Sequence, residues 1–303
     1  MKSLNLYFIP FLLGVYLIFI IGCTNNENQT KPYKPTVASS AETEFVIGIH
    51  PYLNTEKTFM AYEPILRYIE ERMEGVKFRL ETSYDYPDYE RKLYQGHFHF
   101  SLPNPYQTIQ STEHGYRVAA KMKPDYVFRG VIVARKDRHI RSVEQLRNQA
   151  ISFPASTALA APLIPKLFLY EKGLNVEKEA KPYYVGSQYS SIMNAYSGDT
   201  VVAATWPIPW KTWQEENPDK AKEMELIWET PPLINNGFVI RNDVDLKIAT
   251  QVIDLLCSLE NTKEGKKLLL QAGFEGFEKA TFTTYIPVKS FLIRYDKTIG
   301  LPQ

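Results

Sequence analysis

The sequence predicts an α/β protein, and three observations carry that expectation. From residue 45 onward, short apolar runs alternate with amphipathic stretches, so the β-α-β order repeats several times. Residues 151–170, ISFPASTALAAPLIPKLFLY, hold the pattern in one stretch: an apolar strand, a Pro-Ala-Ser-Thr turn, and an apolar helix directly after it. The loops after several strands carry small, amide or aromatic residues, and in open α/β sheets ligands bind outside the carboxyl ends of the strands.

A chain of 303 residues, 44% hydrophobic, is long enough for one large or two medium domains with their own cores. Its first segment, 1–23, has a basic start at Lys2, an apolar run over 4–21 and then Ile20-Ile21-Gly22-Cys23. This resembles a bacterial lipoprotein signal peptide with its lipobox, after whose cleavage Cys23 would be the lipid-carrying first residue. A plain transmembrane anchor is the competing reading, because about 18 apolar residues reach the lower limit for spanning. Both readings export the body and tether it to a membrane. Cys257 is the one other cysteine, which leaves no pair for an internal disulfide. Residues 24–44 are polar, contain Pro and Ser and lack apolar periodicity, so they read as a flexible linker.

Taken in order, 45–49 (FVIGI) is a buried parallel-type strand, followed by a loop over 50–58 and an amphipathic helix to about 73. A strand over 76–83 leads to a helix over 86–95. The third strand, 98–102, ends in Pro103-Asn104-Pro105-Tyr106, and a helix over 107–113 can follow, since a proline N–H has no partner to lose at a helix start. Strands at 118–122 and 130–134 and a short helix from 142 lead to the stretch 151–170. Beyond it come a strand at 182–185, a helix opened by Gly186-Ser187-Gln188-Tyr189, and a strand over 201–205 ending in Trp206-Pro207-Ile208-Pro209-Trp210. A helix at 218–224 precedes strands at 226–228 and 237–241, and the tail holds helices at 246–259, at 263–272 and after Pro287.

Ser156 and Thr157 are the residue types that cap helices, because their hydroxyls accept from N–H groups the first turn leaves unpaired. Two readings fit: an ordinary βα turn whose Ser caps its own helix, or an anion site in which the same N–H groups and the helix dipole hold the ligand. Alanines 155, 158, 160 and 161 would let a ligand approach the backbone. Loops 50–54, 102–106, 186–189, 205–210 and 233–237 lie at other strand ends. With the turn they make Tyr52, Asn104, Tyr106, Ser156, Thr157, Ala158, Gln188, Tyr189, Trp206 and Asn236 the candidate ligand-binding residues. Trp206 and Trp210 suit either stacking on a ligand or closure of a lobe edge.

A net charge of +1 with scattered Lys and Arg gives no electrostatic footprint for nucleic acid. His97 and His99 alternate along a strand, yet no third Cys, His or carboxylate follows at ligand spacing, so no metal is expected. No Gly-x-Ser-x-Gly elbow is present and Ser156 has no evident base. A metal-dependent hydrolase is therefore the weakest of the functional readings. Neither catalytic residues nor a cofactor are expected.

The ordered series Asn104-Pro105-Tyr106, Arg129-Gly130-Val131-Ile132-Val133-Ala134-Arg135-Lys136-Asp137, Pro154-Ala155-Ser156-Thr157-Ala158, Gly186-Ser187-Gln188, Pro231-Pro232-Leu233 and Gly237-Phe238-Val239-Ile240-Arg241 resembles the phosphate/phosphite/phosphonate-binding (PhnD-like) solute-binding proteins of ABC transporters. The resemblance covers roughly 45–297. It implies an α/β periplasmic-binding-protein type II fold, two lobes with a ligand cleft and two hinge crossings. On this sequence lobe 1 would be 45–133 plus 237–303 and lobe 2 would be 134–236.

Where the family has a Ser-Thr-Ser turn this chain has Ser156, Thr157 and Ala158, without the third hydroxyl. Leu102 and Pro103 stand in place of an aromatic-glycine pair, and Gln188 in place of a histidine. The resemblance implies a small oxoanion ligand and an ABC permease as partner, with a membrane histidine kinase as the sensory alternative. A monomer in the periplasm or at the cell surface is expected, tethered through a lipid at Cys23. Since the cleft loops hold no Asp or Glu, a ligand without an ammonium group is expected.

Overall fold

The computed structural model describes residues 42–302; the expected signal peptide, Cys23 and most of the expected linker lie outside the described residues. Among the described residues, eleven strands form two sheets. The first comprises β1 (Thr43–Ile49), β2 (Val76–Glu81), β3 (Phe100–Leu102), β4 (Tyr116–Lys123), β10 (Gly237–Arg241) and β11 (Gly276–Lys279), in the spatial order β11-β4-β10-β3-β1-β2. The second comprises β5 (Val131–Arg135), β6 (Ala150–Phe153), β7 (Lys181–Tyr184), β8 (Val202–Thr205) and β9 (Met224–Glu229), in the order β7-β6-β8-β5-β9. β1 runs parallel to β2 and β3, and β6 parallel to β7 and β8, as βαβ crossovers require. β10 and β5, the strands that enter each sheet from the other, are antiparallel to their neighbours.

Each sheet with its helices is one lobe, and sequence chemistry starts most of the helices. Asn54 caps Thr55–Glu70 by accepting from Lys57 N–H, and that helix buries Ala61, Tyr62, Ile65, Leu66 and Ile69 on the first sheet. Asp85 caps Tyr86–Tyr94 in the same way. Asn104 and Gln107 form a reciprocal capping box at the start of Pro105–Ser111. Ser187 caps Gln188–Ser197, which stops at Gly198 with φ 85°.

Two segments, 124–130 and 230–236, join the lobes side by side. Thr230 N–H donates to the Gly130 carbonyl and Gly130 N–H to the Thr230 hydroxyl, both at 2.9 Å. Asn235 N–H donates to Asp125 Oδ1 at 3.0 Å, and Met122 N–H to the Asn236 carbonyl at 2.8 Å. The first segment ends on a glycine and the second is followed by one, and a neighbour packs into each. A Cβ on Gly130 would lie 2.7 Å from Pro165 Cγ and 2.8 Å from the Ala160 carbonyl oxygen; one on Gly237 would lie 2.5 Å from Thr108 Cγ2.

Three features differ from the sequence expectation. The expected lobe boundary at 133/134 falls inside β5, which pairs in the second sheet from Val131 onward, so the chain has crossed before Val131 and not within the strand. Pro207–Glu216 is a helix where the Pro-flanked tryptophans suggested a loop; both prolines sit in its first turn, where their missing N–H groups cost nothing. The short edge strand β11 had no period-2 signal of its own.

Candidate functional site

The turn 154–158 follows β6, and the helix after it starts differently from the capped form expected. Ala158 stands at the N-cap position and no side chain caps the helix. Leu159–Leu163 is a wide π turn in which Ile164 N–H reaches back to the Leu159 carbonyl, because Pro162 and Pro165 bring no N–H to an α ladder. Ser156 and Thr157 are half-buried and their hydroxyls are not consumed as caps. Among the described residues, the backbone N–H groups of Ser156, Thr157 and Ala158 have no backbone acceptor.

The first lobe supplies the facing wall. Tyr86 packs on Ala158 and Ala161, and Asn104 Nδ2 donates to the Thr157 carbonyl at 3.2 Å while Asn104 Oδ1 caps its own helix. Gln188, at the start of its helix, accepts from the Thr205 hydroxyl at 2.8 Å and turns its Nε2 to the Tyr86 hydroxyl at 3.4 Å. Tyr52 stacks on His50 with ring centroids 5.0 Å apart, hydrogen-bonds the Tyr62 hydroxyl at 2.7 Å, and meets Trp206 of the other lobe at 5.4 Å. Lys57 and Glu216 form an ion pair across the rim. The lobes are thus in contact, with Tyr52, Asn104, Gln188 and Trp206 each at most 3% exposed.

Of the candidates, Tyr52, Asn104, Ser156, Thr157, Ala158, Gln188 and Trp206 come together at this contact. Tyr52, Gln188 and Tyr189 also line a cavity of about 70 Å³. Tyr189 is exposed, and Tyr106 is half-buried against the core of the first lobe. Asn236 stands on the return crossing, with Nδ2 3.5 Å from Met122 Sδ and Oδ1 without a partner among the described residues. A larger cavity of about 400 Å³, lined by Leu167, Pro231, Phe291 and Arg294 among others, holds none of the candidates. The two alternating histidines do not share a site: His97 pairs with Glu81 at 2.9 Å and His99 Nδ1 accepts from Val46 N–H at 2.9 Å. No group of three metal-ligating side chains occurs among the described residues.

Sequence reading left out the wall contributed by Tyr86–Tyr94. Tyr86, Tyr89 and Glu90 recur at i, i+3 and i+4, the spacing of one helix face, and that was the available signal. Glu90 accepts from Gln107 Nε2 at 2.9 Å. The cleft loops hold no Asp or Glu, and this carboxylate is linked to the turn through Gln107 and Asn104, whose Nδ2 donates to the Thr157 carbonyl. Burial pushes the Glu90 carboxyl up, against the hydrogen bond from Gln107.

Burial holds His50 well below the ordinary histidine range, at about 4, against the hydrogen bond from Nδ1 to the Leu102 carbonyl at 2.7 Å. Because the carbonyl only accepts, Nδ1 carries the hydrogen and His50 is neutral at neutral pH. The unfolded chain binds this proton from about pH 6.5 downward and the folded one only near 4, so stability falls with pH across that window, by about 3 kcal/mol in total. His50→Asn keeps a donor for Leu102 without titrating. Its melting temperature should fall less than the parent's between about pH 6.5 and 4, and an equal fall removes His50 as the cause.

Residues 47–285 match the model of a family described as ABC transporter, phosphonate, periplasmic substrate-binding protein. A probable ABC transporter phosphite-binding protein, PhnD1 of Prochlorococcus marinus (strain MIT 9301), is 25% identical over 136 residues, which is 42% of this chain and 46% of that protein. The chain's match thus spans about half the length of that curated relative. Among solved structures, a binding protein component of an ABC phosphonate transporter from Pseudomonas aeruginosa superposes with a TM-score of 0.77 at 14% identity, covering 85% of this chain and 88% of that one. PhnD1 from Prochlorococcus marinus (MIT 9301) in complex with methylphosphonate superposes with a TM-score of 0.76 at 18% identity, covering 84% and 98%.

Proposed function

The chain belongs to the periplasmic substrate-binding proteins of phosphonate ABC transporters, and on that premise we propose that it binds a small oxoanion of the phosphate, phosphite or phosphonate class in its interlobe contact and delivers it to a membrane permease. The family is one of solute-binding proteins and not of enzymes. Its fold is α/β and two-lobed, as in other periplasmic binding proteins.

The observation that carries the reading is the turn 156–158. Three successive N–H groups without backbone acceptors stand in a turn that the first lobe meets through Asn104 and Tyr86, with Gln188 reaching the same Tyr86 hydroxyl. Neutral donors of this kind hold an oxoanion without a cationic side chain. The lobes then comprise 42–123 with 237–302, and 131–229, and they hinge at 124–130 and 230–236 as the ligand enters. Tyr52, Gln188, Ser156 and Thr157 contact the ligand in this reading. Asn104 acts instead through the contact it makes with Thr157.

Titration of the purified protein with methylphosphonate, phosphite and phosphate checks the reading, with small-angle scattering on the ligand-free and saturated forms. Saturable binding of at least one of them to a monomer whose radius of gyration shrinks is expected; absence of binding by all three overturns it. Anchoring through a lipid on Cys23 belongs to the same proposal. Cys23→Ser should leave an unprocessed, unlipidated precursor, and normal lipid labelling of that variant rules the anchor out.

A further inference from the structure

The cavity of about 70 Å³ at the lobe contact is lined by donors that lack acceptors. Its second-lobe wall is one face of the helix Pro207–Glu216, where Pro209, Thr212, Trp213 and Glu216 recur at i, i+3, i+4 and i+7. Trp213 is 1% exposed, and its indole N–H has no partner among the described residues. Gln188 Oε1 accepts from the Thr205 hydroxyl and one Nε2 hydrogen goes to the Tyr86 hydroxyl, which leaves the second N–H over. The acceptors, by contrast, are engaged: the Tyr52 hydroxyl pairs with Tyr62 and the Glu216 carboxylate with Lys57.

A buried N–H without an acceptor is destabilising, so a group that enters the cavity and accepts from it gains what the empty site lacks. Pro51, Leu53 and Pro209 make the rest of the wall apolar, which disfavours a charged occupant. An ammonium would need a free acceptor, and Glu216 is held by Lys57; a carboxylate would stand beside Glu216 itself. What remains is a neutral oxygen.

We propose that this cavity is the subsite for the organic substituent of the ligand, and that it selects phosphonates whose substituent is short, uncharged and ends in a hydroxyl or carbonyl oxygen that accepts from Trp213 Nε1–H. This rests on the anionic group lying at the turn 156–158. Gln188 joins the two places, since it lines the cavity and meets Tyr86, which packs on Ala158 of the turn. Size sets the length. An apolar cavity of about 150 Å³ holds a benzene ring, so about half that volume takes about three non-hydrogen atoms, the size of a 2-hydroxyethyl group.

Titration of the purified protein with 2-hydroxyethylphosphonate, propylphosphonate and 2-aminoethylphosphonate tests this, with methylphosphonate as the reference. The three longer substituents have the same number of non-hydrogen atoms and differ in the last one. 2-Hydroxyethylphosphonate binds at least about tenfold more tightly than propylphosphonate, because a methyl end covers the indole N–H without satisfying it. It also binds at least about tenfold more tightly than the amine, whose charge finds no partner. Trp213→Phe keeps an aromatic ring and removes the donor, so the preference for the hydroxyl over the methyl end falls to within about threefold.

The parent ratios decide the matter even where the variant fails to fold. Near-equal affinities for 2-hydroxyethylphosphonate and propylphosphonate overturn the inference, as does tighter binding of the amine or an undiminished preference in a folded Trp213→Phe protein. Binding of methylphosphonate alone also overturns it, because the cavity then takes no substituent. Each of those results leaves phosphonate binding itself in place. Absence of binding by all four ligands overturns the proposed function and this inference with it.

Discussion

Ser156→Asp should weaken methylphosphonate binding by between about 5-fold and 1,000-fold while the ligand-free protein melts within about 2 °C of the parent. The loss is electrostatic. Two unit charges about 4 Å apart at a partly screened site repel by about 1 to 4 kcal/mol, which corresponds to between about 5-fold and 1,000-fold in affinity. Stability is spared for a reason visible in the structure: Ser156 is half-buried and caps nothing, the N-cap position being Ala158. Titration calorimetry and thermal melting of the two proteins decide the matter. Unaltered binding moves the ligand away from this turn, and a large drop in melting temperature makes Ser156 a structural residue.

The pattern of short strands and amphipathic helices is local, and local features were readable in the residues. Asn54, Asp85, Asn104 and Ser187 announce helix starts because a cap acts within three residues of itself. The π turn after Ala158 was not readable as a cap defect, because Ser156 and Thr157 are good caps and Pro162 and Pro165 act several residues later. The first lobe boundary was placed too late along the chain, at 133/134, for a similar reason. β5 and β10 are continuous apolar strands, and only their pairing shows that each lies wholly within one sheet.

Contacts across the cleft were the least readable. Asn104 and Thr157 are 53 residues apart, and Gln188 and Tyr86 are 102 apart. Loops at strand ends could be named as candidates because the α/β architecture puts them on one side of a sheet. Glu90 sits on a helix, outside that rule. How the two lobes meet is encoded in no window of sequence.

Trp206→Ala should lower the melting temperature by about 6–12 °C and weaken methylphosphonate binding by at least about tenfold. Truncating a fully buried tryptophan costs about 3–5 kcal/mol through lost burial and the cavity left behind. Trp206 is 2% exposed, and its ring meets Phe128 of the first crossing at 5.6 Å and Tyr52 of the other lobe at 5.4 Å. A ring covered by protein on these sides supports closure in preference to stacking on a ligand. The Tyr52 contact exists only while the lobes are together, so the closed, binding-competent form loses more than the open one. Trp210 provides the contrast. It stacks on Trp213 within the second lobe, at 5.4 Å and 12° between planes, and the apolar cluster it belongs to consists, among the described residues, of second-lobe side chains. Trp210→Ala should therefore lower the melting temperature comparably while leaving affinity within about threefold of the parent. Equal affinity losses in the two variants, or none in Trp206→Ala, would show that the Tyr52–Trp206 contact does not report lobe closure.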